Sequence, residues 1–352
     1  DYPTAETCFQ QSLNLYRELQ NAIGIARSLN NLGAISHFRG EYAQSEVYFQ
    51  QGFDLSSSIQ YKLGVALSLN NLGIINRERG NYASAEAYYR QSSLLYREIG
   101  HLQGTARILN NLANVAADRG EFHSAENYYQ ESLSLSRSIG DPRGIDMVLN
   151  NLGKLSTEKQ EYAAADNYFQ QSLEICQSID DSQGKAVTLN NMGSVAYYRG
   201  DYETAISLHQ QSLNLAREIG EQYVIAESLS RLCILACRQD WQALPAYLQE
   251  SLSICLELDL IPIVVELIVT IAQCELKQGQ VAEAAKLAGL VDAFPEVAQE
   301  LRIHELARLL KALGEVLPEA QLTALMKEGA AFDLATTARS WLNRISQELA
   351  EK

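Results

Sequence analysis

The sequence predicts an all-α fold, a solenoid of antiparallel helix hairpins closed at one end by capping helices, and three observations predict it. Asn-Asn recurs at Asn30-Asn31, Asn70-Asn71, Asn110-Asn111, Asn150-Asn151 and Asn190-Asn191, forty residues apart each time and without insertion or deletion. An aromatic follows each pair at a constant distance (Tyr42, Tyr82, Phe122, Tyr162, Tyr202), and a small residue three further on (Ser45, Ala85, Ala125, Ala165, Ala205). Within a block the apolar residues Leu29, Leu32 and Ile35 fall at helical spacing. A unit of this length buries its apolar face only against its neighbours, which makes a stacked array.

Each block reads as two helices. In the first, Gly33 and its equivalents Gly73, Gly153 and Gly193 leave room for another backbone, and Arg39-Gly40 ends the helix with a basic last turn and a glycine stop. The second starts at Glu41-Tyr42, with acid at its positive end, and turns Ser45, Phe49, Phe53 and Leu55 inward. Gly64, Gly104, Gly144 and Gly184 read as separators between blocks. After residue 220 the pattern decays: Ser230-Arg231 replaces Asn-Asn, Cys233 replaces the glycine, and Trp241 stands one residue early. The expected organisation is therefore a regular array over 1–240 with a truncated first repeat, degenerate hairpins over 241–294, and closing helices over 295–352. Those closing helices are expected at about 296–315, 319–329 and 333–349, beyond Pro295. Asp1-Tyr2 aligns with the start of a second helix, so further domains are expected upstream.

Composition narrows the function. With 28 Lys plus Arg against 43 Asp plus Glu, the net charge of −15 argues against a surface that neutralises phosphates, so direct nucleic-acid binding is not expected. The longest apolar run, near residues 260–269, is interrupted by Pro262 and Glu266 and is too short for a membrane span. Six cysteines (Cys8, Cys176, Cys233, Cys237, Cys255, Cys274) are scattered through helical segments and read as buried free thiols of a cytoplasmic protein. No phosphate-binding glycine loop, nucleophile elbow or His-Glu-x-x-His is present, and the five histidines fall at unrelated phases, with His304-Glu305 a lone polar pair. No enzymatic activity, cofactor or metal site is expected.

The candidate binding residues lie on the first helix of each hairpin. Positions aligned with 27, 30, 34 and 37 step by three or four and form one stripe, expected to line a concave groove. Asn30, Asn70, Asn110, Asn150 and Asn190 would offer a ladder of carboxamides able to donate to and accept from an extended peptide backbone. Arg27, Leu67, Arg107, Met147 and Val187 would flank them on one side, His37, Arg77, Ala117, Thr157 and Tyr197 on the other, with Lys154 between. The second asparagine of each pair is expected to bond inside the helix pair. Arg27, Arg77, Arg107 and Lys154 suggest an acidic segment as partner, an inference that Glu78, Asp118 and Glu158 oppose. Arg39, Arg79, Arg119, Lys159 and Arg199 read as helix C-terminal charges.

The pattern Asn-Leu-Gly, then Gly-x-Tyr, then a small residue and an aromatic resembles the tetratricopeptide repeat, with Gly33, Gly40, Tyr42, Ser45, Phe49 and Gly52 at its signature positions. The resemblance implies a right-handed superhelical solenoid. It covers residues 1–240, more weakly 241–280, with helices longer than in the usual 34-residue unit. The runs Glu283–Leu290 and Glu328–Leu334 look like segments that end many large bacterial signal-transduction ATPases and transcriptional regulators. That likeness implies a ligand-sensing or partner-binding part of a larger regulator. Three functions follow: a protein- or peptide-recognition module, a sensor lobe binding a small effector that controls an upstream nucleotide-switch ATPase, or a passive scaffold.

Overall fold

The computed structural model describes residues 2–238, 242–294 and 305–351. Trp241, Pro295, His304 and the start of the first expected closing helix lie outside them. Among the described residues the regular structure is entirely helical, and the chain divides into two compact units, residues 1–179 and 180–352.

The first unit comprises α1 (Tyr2–Glu18), α2 (Ala22–Phe38), α3 (Tyr42–Ser58), α4 (Lys62–Glu78), α5 (Tyr82–Glu98), α6 (Leu102–Asp118), α7 (Phe122–Ser138), α8 (Pro142–Glu158) and α9 (Tyr162–Ser178). Each helix has 17 residues, and three-residue turns join them, which accounts for the period of forty. The middle turn residue is left-handed: Gly40 has φ 74° and Gly120 has φ 74°. Glutamine takes the same conformation at Gln20, Gln60 and Gln160, where a Cβ crowds the carbonyl. The third turn residue caps the next helix. Asn21, His101 and Asp141 accept from the backbone N–H of Gly24, Gly104 and Gly144 at 2.9, 2.9 and 3.1 Å.

Gly64, Gly104 and Gly144 are therefore not separators but first-turn residues of α4, α6 and α8. A ring fills the space at Gly104, where a Cβ would stand 2.4 Å from Tyr96 Cδ1. The glycines after the Asn-Asn pairs also differ from expectation, because they admit a side chain instead of a backbone. A Cβ at Gly33, Gly73 or Gly153 would meet the ring of Phe49, Tyr89 or Phe169 at 2.6, 2.5 and 2.5 Å. These aromatics are buried within the hairpin, each contributing about 2–3 kcal/mol by removal from water. A serine completes two of the hairpins: Ser92 and Ser132 donate across them to the carbonyls of Ala66 and Ala106, each at 2.7 Å.

The second unit comprises α10 (Ser182–Tyr198), α11 (Tyr202–Ile219), α12 (Gln222–Arg238), α13 (Leu244–Glu257), α14 (Ile261–Lys277), α15 (Val281–Asp292), α16 (Ala307–Val316), α17 (Glu319–Gly329) and α18 (Leu334–Ala350). Gly184 again sits in a first turn, its N–H donating to Asp181 at 2.9 Å. The core here is larger and almost wholly aliphatic, with Leu252, Leu267, Ile268, Ala272, Leu287 and Leu313 fully enclosed. α14 is apolar on nearly all sides, and α16 and α18 pack against it. α17 crosses α15 at Gly289 and Gly329, so closely that a Cβ on Gly289 would lie 2.1 Å from the Met326 carbonyl oxygen. Those two glycines belong to the two terminal runs singled out by sequence.

Gln160 offers a direct check on the turn geometry. Gln160→Gly should raise the unfolding free energy by about 0.5–1 kcal/mol, because glycine adopts φ near 60° without the Cβ clash. Urea or thermal unfolding measures it, and no gain would show that the turn is unstrained.

Candidate functional site

The first asparagine of every pair is sealed inside. Asn30, Asn70, Asn110, Asn150 and Asn190 are all buried, with exposures of 1–8%. Asn30 donates to the Ala26 carbonyl at 3.0 Å and to Ser68 at 2.9 Å, and its Oδ1 accepts from Asn71 at 3.3 Å. Asn111 donates to Asn70 at 2.9 Å, and Asn151 to Asn110 at 2.9 Å. Asn150 donates to Ser172 at 2.6 Å and to Asp146 at 3.0 Å. In the second unit Asn190 Oδ1 meets His209 Nδ1 at 2.7 Å. The expected ladder on an open groove is corrected: its carboxamides are committed between layers, where an unpaired amide would cost about 1–3 kcal/mol.

The roles of the two asparagines are exchanged. Asn31 is exposed, and Asn71, Asn111 and Asn151 are half-buried, each reaching back to the first asparagine of the preceding repeat. The accessible stripe of α2 thus runs through 27, 31, 34 and 38, steps of four, three and four, and not through 30. Sequence spacing alone admitted both phases. The deciding signal was the leucines, since Leu29 and Leu32 flank position 30 on the buried side.

The other candidates divide in two. His37 is paired with Glu78 at 2.7 Å, and Arg77 grips Asp118 through Nε and Nη2 at 2.6 and 3.3 Å. Arg77 presents no free charge, as Asp118 foretold; the His37 contact with Glu78 was not foreseen. Tyr197 donates to Glu305 at 2.5 Å. Arg27, Arg107 and Lys154 are exposed, with Arg107 also donating to the Tyr96 hydroxyl at 3.2 Å. Arg39, Arg79, Arg119 and Lys159 stand at helix C-termini and also pair with Glu6, Glu46, Glu86 and Glu126 of the preceding helix.

Two adjoining cavities form along the accessible stripe of the first unit. One, of about 520 Å³, is lined by Phe9, Tyr16, Arg27, Asn31, Leu67 and Asn71. The other, of about 410 Å³, is lined by Leu67, Tyr96, His101, Arg107, Arg143 and Met147. Leu67 borders both, so the row Arg27, Leu67, Arg107, Met147 is continuous. Sequence reading found that row but missed His101 and Arg143, whose turn and first-turn positions gave no binding signal. Among the described residues no group of three or more His, Cys, Asp or Glu could hold a metal ion, and no helix is long and apolar enough to cross a membrane.

Family models of the tetratricopeptide repeat match residues 25–56, 64–138 and 145–218, together more than half of the sequence. The chain belongs to the tetratricopeptide-repeat proteins. Among curated proteins none matches it. Several solved tetratricopeptide-like structures share its fold. The apo form of the quorum sensor NprR from B. thuringiensis superimposes with a TM-score of 0.64 at 14% identity, over 82% of this chain and 82% of that one. The Rap conjugation gene regulator of plasmid pLS20, in complex with the Phr* peptide, gives 0.62 at 16% identity, over 84% and 76%. A Rap protein complexed with competence and sporulation factor gives 0.60 at 14% identity, over 98% and 99%. At these identities the likeness is one of fold.

One repeat position carries a titratable surprise. His209 stands where Phe49, Tyr89, Tyr129 and Phe169 stand in other repeats, against Gly193. Burial, assisted by the Arg231 charge, lowers its pKa to about 3. The folded state therefore binds a proton less readily than the unfolded chain, where histidine titrates near its usual value of about 6.5. Stability from this site is complete above pH about 6.5 and lost progressively below it. By pH 4.5 the loss should be about 2–3 kcal/mol. Urea unfolding at pH 7 and 4.5 should show that extra loss in the native chain and not in His209→Phe; equal slopes would refute it.

Proposed function

We propose that the chain is a non-catalytic peptide-recognition module whose ligand lies along the first helices of the first unit. The observation that carries this reading is the continuous row Arg27, Leu67, Arg107, Met147 bordering two adjoining cavities, with Asn31 and Asn71 beside it. Leucine and methionine offer apolar contact, and the exposed Asn31 carboxamide offers hydrogen bonds to a peptide backbone. Arg27 and Arg107 set positive charge in an otherwise acidic chain, which suits a peptide bearing acidic side chains or its terminal carboxylate. A neighbour in fold, the Rap regulator of plasmid pLS20, is itself a peptide complex, which agrees with this assignment.

A second reading rests on the same surface. The cavity around Arg107, at about 410 Å³, has the size of a small-molecule site. A small effector there would make the chain the sensor lobe of a larger signal-transduction regulator. The two readings part on a simple pair of substitutions. For an extended acidic peptide selected from an array, Arg27→Glu and Arg107→Glu should each weaken binding about tenfold or more, worth roughly 1.4 kcal/mol apiece. An effector confined to one cavity loses affinity only with Arg107→Glu. Binding unchanged by both substitutions would end the assignment to this face.

A further inference from the structure

In the second unit a carboxylate already sits on the repeats, and it comes from the chain itself. Glu305 is 6% exposed and places both oxygens among donors from three hairpins. Oε1 accepts from the Tyr197 hydroxyl at 2.5 Å and from Arg238 Nη2 at 3.1 Å, and Oε2 accepts from Gln273 Nε2 at 2.8 Å. The Glu305 backbone carbonyl accepts from the same Gln273 nitrogen at 3.4 Å. Tyr197 lies at the end of α10, Arg238 at the end of α12 and Gln273 near the end of α14, so successive first helices supply one donor each.

Arg238 is also held by contacts that do not involve Glu305. Arg238 lies over the rings of Tyr197 and Tyr202, 4.8 and 5.6 Å from their centroids, and donates to the Tyr202 hydroxyl at 3.1 Å. The guanidinium is thereby oriented by the repeats themselves. Glu305 nevertheless uses it incompletely. Arg238 Nε is buried with no hydrogen-bond partner among the described residues, while a carboxylate approaching edge-on takes both Nε and Nη2. Burial pushes the Glu305 carboxyl up, and Tyr197, Gln273 and Arg238 outweigh it and hold the group below the usual range, so the occupant is an anion.

We propose that Tyr197, Arg238 and Gln273 form a carboxylate-binding site on the repeats, that Glu305 fills it as an internal ligand, and that an acidic peptide competes for it. The incoming carboxylate gains the second guanidinium contact that Glu305 leaves unmade. Leu306, Leu309 and Leu313 are buried in the core of the unit, so Glu305 can swing out while α16 stays anchored. The proposal does not rest on the surface described for the first unit, since none of its residues belongs to that unit.

The test uses the full chain and a fluorescein-labelled hexaglutamate peptide, with hexaglutamine as the neutral control, read by fluorescence anisotropy at low ionic strength. Glu305→Gln should tighten hexaglutamate binding at least tenfold, and adding Arg238→Gln should abolish that gain. Arg27→Glu with Arg107→Glu in the Glu305→Gln background should leave the gain intact, which separates this site from the first-unit surface. Equal affinity for the native and Glu305→Gln chains, or a gain that survives Arg238→Gln, would overturn the proposal. An independent readout needs no substitution: excess hexaglutamate added to the native chain should move the Glu305 side-chain carboxyl carbon resonance toward that of an exposed glutamate. An unmoved resonance would equally overturn it.

Discussion

An amide hydrogen bond shared between neighbouring first helices governs the first unit. Asn71 reaches Asn30, Asn111 reaches Asn70 and Asn151 reaches Asn110, always across 41 residues. Each bond joins a buried acceptor to a half-buried donor, so a slip of one residue would take a hydrogen bond from a buried amide oxygen. That constraint accounts for a period kept without insertion. It also decides which side chains remain for a ligand. With the first asparagine spent on stacking, the stripe through positions 27, 31 and 34 becomes the accessible one, and its cavities follow from it.

The second unit solves the same problem with different chemistry. Where the asparagines give way to Ser230 and Arg231, both side chains donate to Glu266 of α14, at 2.8 and 2.5 Å. An ion pair thus replaces the amide contact between successive first helices. From there the polar register fades and α14 is packed by aliphatic side chains on most of its surface. A helix so apolar cannot end an array facing water, and α16 and α18 cover it while α17 is clasped to α15 through paired glycines. The same return of the chain delivers Glu305 to its seat, so closure of the core and occupation of the carboxylate site share one cause.

Most of the architecture was legible in the sequence because in-phase repetition constrains it many times over. Helix type, turn positions and the paired aromatics and small residues all follow from five copies of one pattern. What was misread turned on where a side chain points, which repetition does not report. Position 30 and position 31 repeat equally well, and only the flanking leucines place the first inside. The glycines after each turn looked like linkers, yet they are helical residues, and at Gly104 the Tyr96 ring lies where a Cβ would stand. The pairing of Arg77 with an acid one repeat on was visible as nearby charge. The Glu305 contact joins residues 108 apart in sequence and left no periodic trace.

The central claim is that the carboxamide pair couples adjacent repeats energetically, and a double-mutant cycle on Asn110 and Asn151 measures that coupling directly. Urea unfolding of Asn110→Ala, Asn151→Ala and the double variant should give an interaction energy of about 1 kcal/mol or more. Additivity of the two single losses within about 0.3–0.5 kcal/mol would contradict it, leaving the asparagines as separately tolerated polar residues.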